Sequence, residues 1–162
     1  MGDTIYCHNK GTNMEAREEI KLINIALSGT LDLYRIWAKK HQLNYNALVI
    51  LYTLDDYKTC TQKQICDWWA LPKQTVHGIL LDFEKKGYIT ITSNDKNKRE
   101  RLIAFTEKGK LFAASVLEKL YEMEENAMQK MSYDQRNQLV TCSTKYYELL
   151  KEEIEHGPYI MN

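Results

Sequence analysis

The sequence predicts a mainly α fold that carries one small β-hairpin. Apolar residues recur at three-to-four spacing over most of the 162-residue chain, the period of a helix with one buried face. Capping patterns punctuate the chain at Thr12-x-x-Glu15, Thr61-x-x-Gln64 and Ser132-x-x-Gln135, where a hydroxyl and an acid or amide satisfy orphan helix-start amides. Period-two alternation is confined to residues 88–92 and a second short run at 101–105, with a polar segment between them.

Taken in order, the first helix spans about residues 12–41, with Ile20, Ile23, Leu27, Leu31, Tyr34 and Trp37 on its apolar stripe. Asn44 caps a second helix that carries Leu48, Leu51, Tyr52 and Leu54. Thr61 opens a helix of about nine residues holding Ile65, Trp68 and Trp69. After a break at Ala70-Leu71, Pro72 takes the first helical position, where its missing amide costs nothing. That helix places Val76, Ile79, Leu80 and Phe83 toward a core and stops at Gly87, after Lys85 and Lys86. The hairpin follows, and it must lean on these helices because two strands alone are marginal. Thr106 then caps a long helix over about 107–131, and Ser132 opens a last one that runs to about His156.

Composition narrows the function. Hydrophobic residues make up 44% and charged residues 27%, as in a soluble globular chain. No apolar run approaches the roughly 20 residues that span a bilayer, and the opening MGDTIYCHNKGTN has no secretory core, so a cytoplasmic location is expected. Cys7, Cys60, Cys66 and Cys142 are scattered, and His8, His41, His77 and His156 lie far apart. No metal site and no cofactor are expected from such spacing. Glycine-rich phosphate loops and nucleophile elbows are missing as well, so the chain is read as a non-enzyme.

Net charge is zero, yet its distribution is uneven. Residues 58–110 hold 11 Lys and Arg against 6 Asp and Glu, while residues 111–162 hold 5 against 9. Positive charge therefore collects around the two short helices and the hairpin, as expected where one face meets phosphates. Two short helices joined by a tight turn and followed by a hairpin make a winged helix-turn-helix, and the partner this suits is double-stranded DNA. The second short helix can enter the major groove with Pro72, Lys73, Gln74, Thr75 and His77 on its leading half, and Thr61 and Gln62 start the helix before it. Lys96, Lys98 and Arg99 give the hairpin tip a basic cluster for phosphate or minor-groove contact.

The segments KQTV, FEKKGYI and FTEKGK, within residues 64–110, resemble the MarR family of winged helix-turn-helix regulators. Gly87 matches the glycine that ends the family's recognition helix. Phe105-Thr106-Glu107-Lys108-Gly109 matches its Leu-Thr-Glu-x-Gly entry into the long helix, with phenylalanine for leucine. Asn97-Lys98-Arg99 stands where the family often has Asp-Arg-Arg, and Gly78 where a longer polar residue is common. The resemblance implies one MarR-like domain over residues 1–162, with a DNA-binding lobe at about 44–110 and dimerisation helices at about 12–41 and 107–156.

It implies further a homodimer, a pseudo-palindromic operator, ligand-responsive repression and no membrane partner. Leu117, Leu120, Ala127, Met128 and Met131, then Leu139, Cys142, Tyr146, Leu149 and Leu150, form the apolar stripes that would meet a second subunit. A small aromatic or amphipathic effector is a possible ligand, with Tyr34, Trp37, Tyr52 and Trp68 as candidate lining residues. Two other readings stand beside this one: a thiol-based redox regulator acting through Cys7, and a winged helix used only for protein contacts.

Overall fold

The computed structural model describes residues 15–94 and 97–157, and the side chains of these except 94 and 97–99. The elements run α1 (Ala16–Lys40), α2 (Tyr45–Tyr57), β1 (Thr59–Thr61), α3 (Gln62–Trp69), α4 (Lys73–Lys85), β2 (Ile89–Asn94), β3 (Asn97–Phe105), α5 (Glu107–Gln129) and α6 (Tyr133–His156). They fall into two compact units, one up to Lys110 and one from Leu111, with α5 opening in the first and continuing into the second. The fold is mainly α with a small sheet, as the sequence predicts.

In the first unit the core gathers Leu48, Ile50, Leu51 and Leu54 of α2, Ile65 of α3, Val76, Leu80 and Phe83 of α4, and Ile89 and Ile103 of the sheet. Burying each such side chain contributes about 1.5–3 kcal/mol. Helix starts are set by local hydrogen bonds. Asn44 Oδ1 accepts from the Ala47 amide at 2.8 Å, and Thr61 and Gln64 form a reciprocal capping box at α3. Between α3 and α4, Ala70 takes the left-handed conformation at φ 50° and turns the chain within three residues.

The sheet is where sequence and structure differ most. It has three antiparallel strands in the order β1-β3-β2, because Thr59–Thr61 pairs with β3 through Cys60↔Ile103. The hairpin therefore leans on a third strand as well as on helices. β3 also begins at Asn97 instead of Arg101, so Lys98 and Arg99 lie on a strand and not in a polar turn. Lys96 lies outside the described residues. A register shift between Ser93 and Asn94 accompanies this extension of the pairing. Pro72 is the N-cap of α4, with extended backbone at ψ 136°, one position earlier than predicted. The Thr12 cap lies outside the described residues, and α1 has Glu15 as its N-cap with no side-chain cap bond.

The segment FTEKGK is a joint. Gly87 adopts φ 72°, which favours glycine, and ends α4. Thr106 donates its hydroxyl to the Gly87 carbonyl at 2.6 Å and accepts from the Gly109 amide at 3.0 Å, while its own amide reaches the Tyr88 carbonyl at 3.0 Å. Lys108 Nζ adds a bond to the Lys86 carbonyl at 2.7 Å. The Tyr88 and Gly87 amides take the Phe83 and Glu84 carbonyls in the last turn of α4, and the first turn of α5 takes the Lys86, Gly87 and Tyr88 carbonyls that follow.

In the second unit, Ser132 and Gln135 form the capping box of α6, and Arg136 Nη1 reaches back to the Met128 carbonyl at 3.3 Å. Ala113, Val116, Leu117 and Leu120 of α5 are buried, whereas no residue of α6 is. Among the described residues, no helix is long and apolar enough to cross a membrane.

Candidate nucleic-acid interface

Helix α4 divides into two faces. Val76, Leu80 and Phe83 are buried, and Ile79 at the edge of that stripe is half-buried. Lys73, Gln74, His77, Gly78, Leu81 and Lys85 are exposed. At 100° per residue, Gln74, Gly78, Leu81 and Lys85 line up along the ridge opposite the core, with His77 on one flank. Thr75 is half-buried on the other flank, beside Ile79, and does not share the ridge with Gln74.

The helix before it serves as a brace. Thr61 is spent on the cap of α3, its hydroxyl 3.2 Å from the Gln64 amide. Gln62 Nε2 donates to the Lys73 carbonyl at 2.8 Å and ties the start of α3 to the first turn of α4. The sequence offers both residues as DNA contacts, and their hydrogen bonds give them a positioning task. Trp69 Nε1 donates to Thr53 Oγ1 at 2.6 Å, and that hydroxyl itself donates to the Val49 carbonyl, so α3 is pinned to α2 as well.

Cations on and beside this face include both paired and unpaired ones. Lys63, Lys86, Lys110, Lys119 and Lys151 each pair with an acid three or four residues away. Among the described residues, Lys73 and Lys85 of α4 and Arg101 of β3 have no acidic partner. Uncompensated cations beside an exposed helix ridge suit an anionic partner, since a paired lysine must first give up its carboxylate.

Two grooves flank α4. One, of about 320 Å³, lies between the helix and the sheet and is lined by His77, Leu81 and Glu84 on one side and Ile91, Arg101 and Ile103 on the other. The second, of about 260 Å³, runs past Gly78, Asp82 and Lys86 toward Gln42 and Asn44.

Comparison with known proteins bears on this geometry. Residues 41–100, from the end of α1 into β3, match the MarR family. That stretch, which carries the two short helices and the start of the wing, is similar to the MarR family. HTH-type transcriptional regulator SarZ of Staphylococcus aureus is 26% identical over 85 residues, which is 52% of this chain and 57% of SarZ. SarZ of Staphylococcus epidermidis is 27% identical over 77 residues, 48% of this chain and 52% of that protein. The chain thus spans about half the length of the curated relatives it matches. NMB1585, a MarR family regulator from Neisseria meningitidis, superposes with a TM-score of 0.75 at 27% identity, covering 85% of this chain and 96% of that one. BpsR of Bordetella bronchiseptica, whose DNA binding is regulated by 6-hydroxynicotinic acid, shares the fold at a TM-score of 0.65 and 14% identity, covering 85% and 98%.

The aromatic residues that the sequence offers for an effector site divide among different ring contacts. Trp68 stacks on Tyr57 with centroids 4.4 Å apart, Tyr52 meets Trp69 edge-on at 6.4 Å, and Trp37 leans on His41 at 4.9 Å. Tyr34 is half-buried on α1. None of the four lines either groove beside α4. Cys7 lies outside the described residues, while burial pushes the Cys60 thiol up to about 11. Among the described residues no group of three or more His, Cys, Asp and Glu side chains could hold a metal ion.

Arg101 carries no signal in the sequence beyond its place at the start of a strand. Yet it shares strand parity with buried Ile103, so alternation alone turns it toward α4.

Proposed function

We propose that this chain is a member of the MarR family and a sequence-specific transcriptional regulator that binds duplex DNA as a homodimer. The observation that carries the reading is the exposed face of α4: Gln74 and Lys85 stand on its ridge and Lys73 and His77 on one flank, on a helix braced by Gln62 and followed by the wing. A ridge of this kind fits the major groove, with Gln74 able to address an adenine edge bidentately and Lys73 a phosphate. Lys98 and Arg99, whose backbone lies on β3, are the wing residues this reading assigns to phosphate contact. Titration of a mixed-sequence duplex by fluorescence anisotropy tests this: binding at low salt should weaken steeply as salt rises, because bound phosphates release counterions. No binding at about 50 mM salt, a condition where such contacts are strong, would sink the proposal.

Support for the homodimer comes from faces left uncovered in one chain. Ile25, Leu33 and Ile36 stand exposed on one side of α1, and Ile23, Leu27 and Leu31 on the other. On α6, Leu139, Val140, Tyr147, Leu150 and Ile154 are exposed. Contiguous apolar surface on two long helices is unusual for a monomer and usual where subunits interlock. A two-fold dimer carries two α4 ridges and reads a pseudo-palindromic operator.

The regulatory outcome is repression released by a small aromatic or amphipathic effector. BpsR supports this reading, as do the half-buried rings of Tyr34, Trp37 and Tyr52. Adding 6-hydroxynicotinic acid and a panel of aromatic carboxylates to the preformed complex tests it: at least one should raise the Kd for DNA. Unchanged affinity across the panel would count against an effector of this class.

A further inference from the structure

The groove between α4 and the wing is lined by one cation, Arg101. Arg101 is exposed, has no acidic partner among the described residues, and faces His77 and Leu81 across a gap lined by Ile91 and Ile103. We propose that this groove seats one strand of the operator's sugar-phosphate backbone, with Arg101 as the phosphate-binding residue. The inference rests on the DNA-binding reading above and deepens it.

Geometry supplies the argument. A major groove and the minor groove beside it are separated by a single sugar-phosphate backbone. If α4 occupies the first and the wing reaches the second, that backbone must cross between them, and the gap between helix and wing is this groove. Its lining suits such an occupant. Leu81 and Ile91 offer apolar walls to deoxyribose, and the guanidinium of Arg101 can take a phosphate bidentately. The one acid in the lining, Glu84, sits seven residues after His77, about 10 Å farther along the helix. Like-charge repulsion therefore biases the phosphate toward the His77 end.

The test uses the full chain and compares Arg101→Gln, of similar reach without charge, with Arg101→Lys. For each, the logarithm of DNA affinity is measured against the logarithm of salt concentration, on a selected operator and on a mixed-sequence duplex. Removing one phosphate bond per protomer should flatten the slope by about 0.9, or about 1.8 per dimer, equally on both duplexes. The lysine variant should keep most of the parent's slope. A parent-like slope in Arg101→Gln overturns this assignment alone. Failure of the parent chain to bind any duplex overturns it together with the DNA-binding reading.

Discussion

A methyl group at Gly109 would stand 1.8 Å from the Tyr88 carbonyl oxygen and 2.7 Å from its carbon. Glycine-to-alanine changes inside a helix ordinarily stabilise by up to about 1 kcal/mol. Here the sign should reverse: the added carbon would push the start of α5 off the end of α4, and Gly109→Ala should cost about 1–3 kcal/mol. Gly78, also helical, has nothing within 4 Å, so Gly78→Ala should raise stability slightly. Urea midpoints for the two variants check both signs, and a Gly109→Ala midpoint equal to the parent's would refute the joint. The same scale decides cysteine chemistry. With its thiol raised to about 11, Cys60 is protonated at pH 8 to all but about one part in a thousand. Exposed Cys142 should react first with iodoacetamide in the native protein, and Cys60 only after unfolding. Rapid native alkylation of Cys60, mapped by peptide mass, would contradict its burial. On the proposed DNA-binding reading, Gln74→Ala should relax sequence preference at one symmetric pair of positions, at about 1–3 kcal/mol for each bidentate base pairing removed. An unchanged consensus would show that Gln74 only solvates the helix start.

Elements with a local cause are legible in the sequence, and those with a distant one are not. The capping boxes at Thr61 and Ser132, the Asn44 cap and the Gly87 stop are short patterns that act within four residues, and each stands where the sequence puts it. β1 is three residues, Thr-Cys-Thr, and exists only through pairing with a strand some forty positions later. Nothing in its own composition separates it from a loop that leads into a cap. The start of β3 is hidden for a related reason, since its polar first residue, Asn97, pairs with Asn94 only across a register shift that leaves 98–100 without ladder partners among the described residues. As for the candidate site, the ridge of α4 follows from helical periodicity. The groove with Arg101 needs the sheet to be placed beside the helix. The wing carries its own prediction: replacing Lys96, Lys98 and Arg99 together by alanine should weaken binding to every sequence and flatten the salt dependence. Equal affinity and slope in the triple variant would remove the wing from the interface.

At the level of the whole molecule, the account requires two copies. Sedimentation at micromolar concentration should give a dimer, because α1 and α6 expose too much apolar surface for an isolated chain. In the proposed dimer, two α4 ridges related by a two-fold axis would address half-sites about one helical turn, or a multiple of it, apart. The central claim is that this dimer reads duplex DNA through α4, and selection from a randomised duplex library with the full chain tests it most directly. The account predicts enrichment of an inverted repeat whose half-site centres lie about 10 base pairs, or a multiple of that, apart. Recovery of sequences no different from the input, or of a single unrepeated motif, would contradict it.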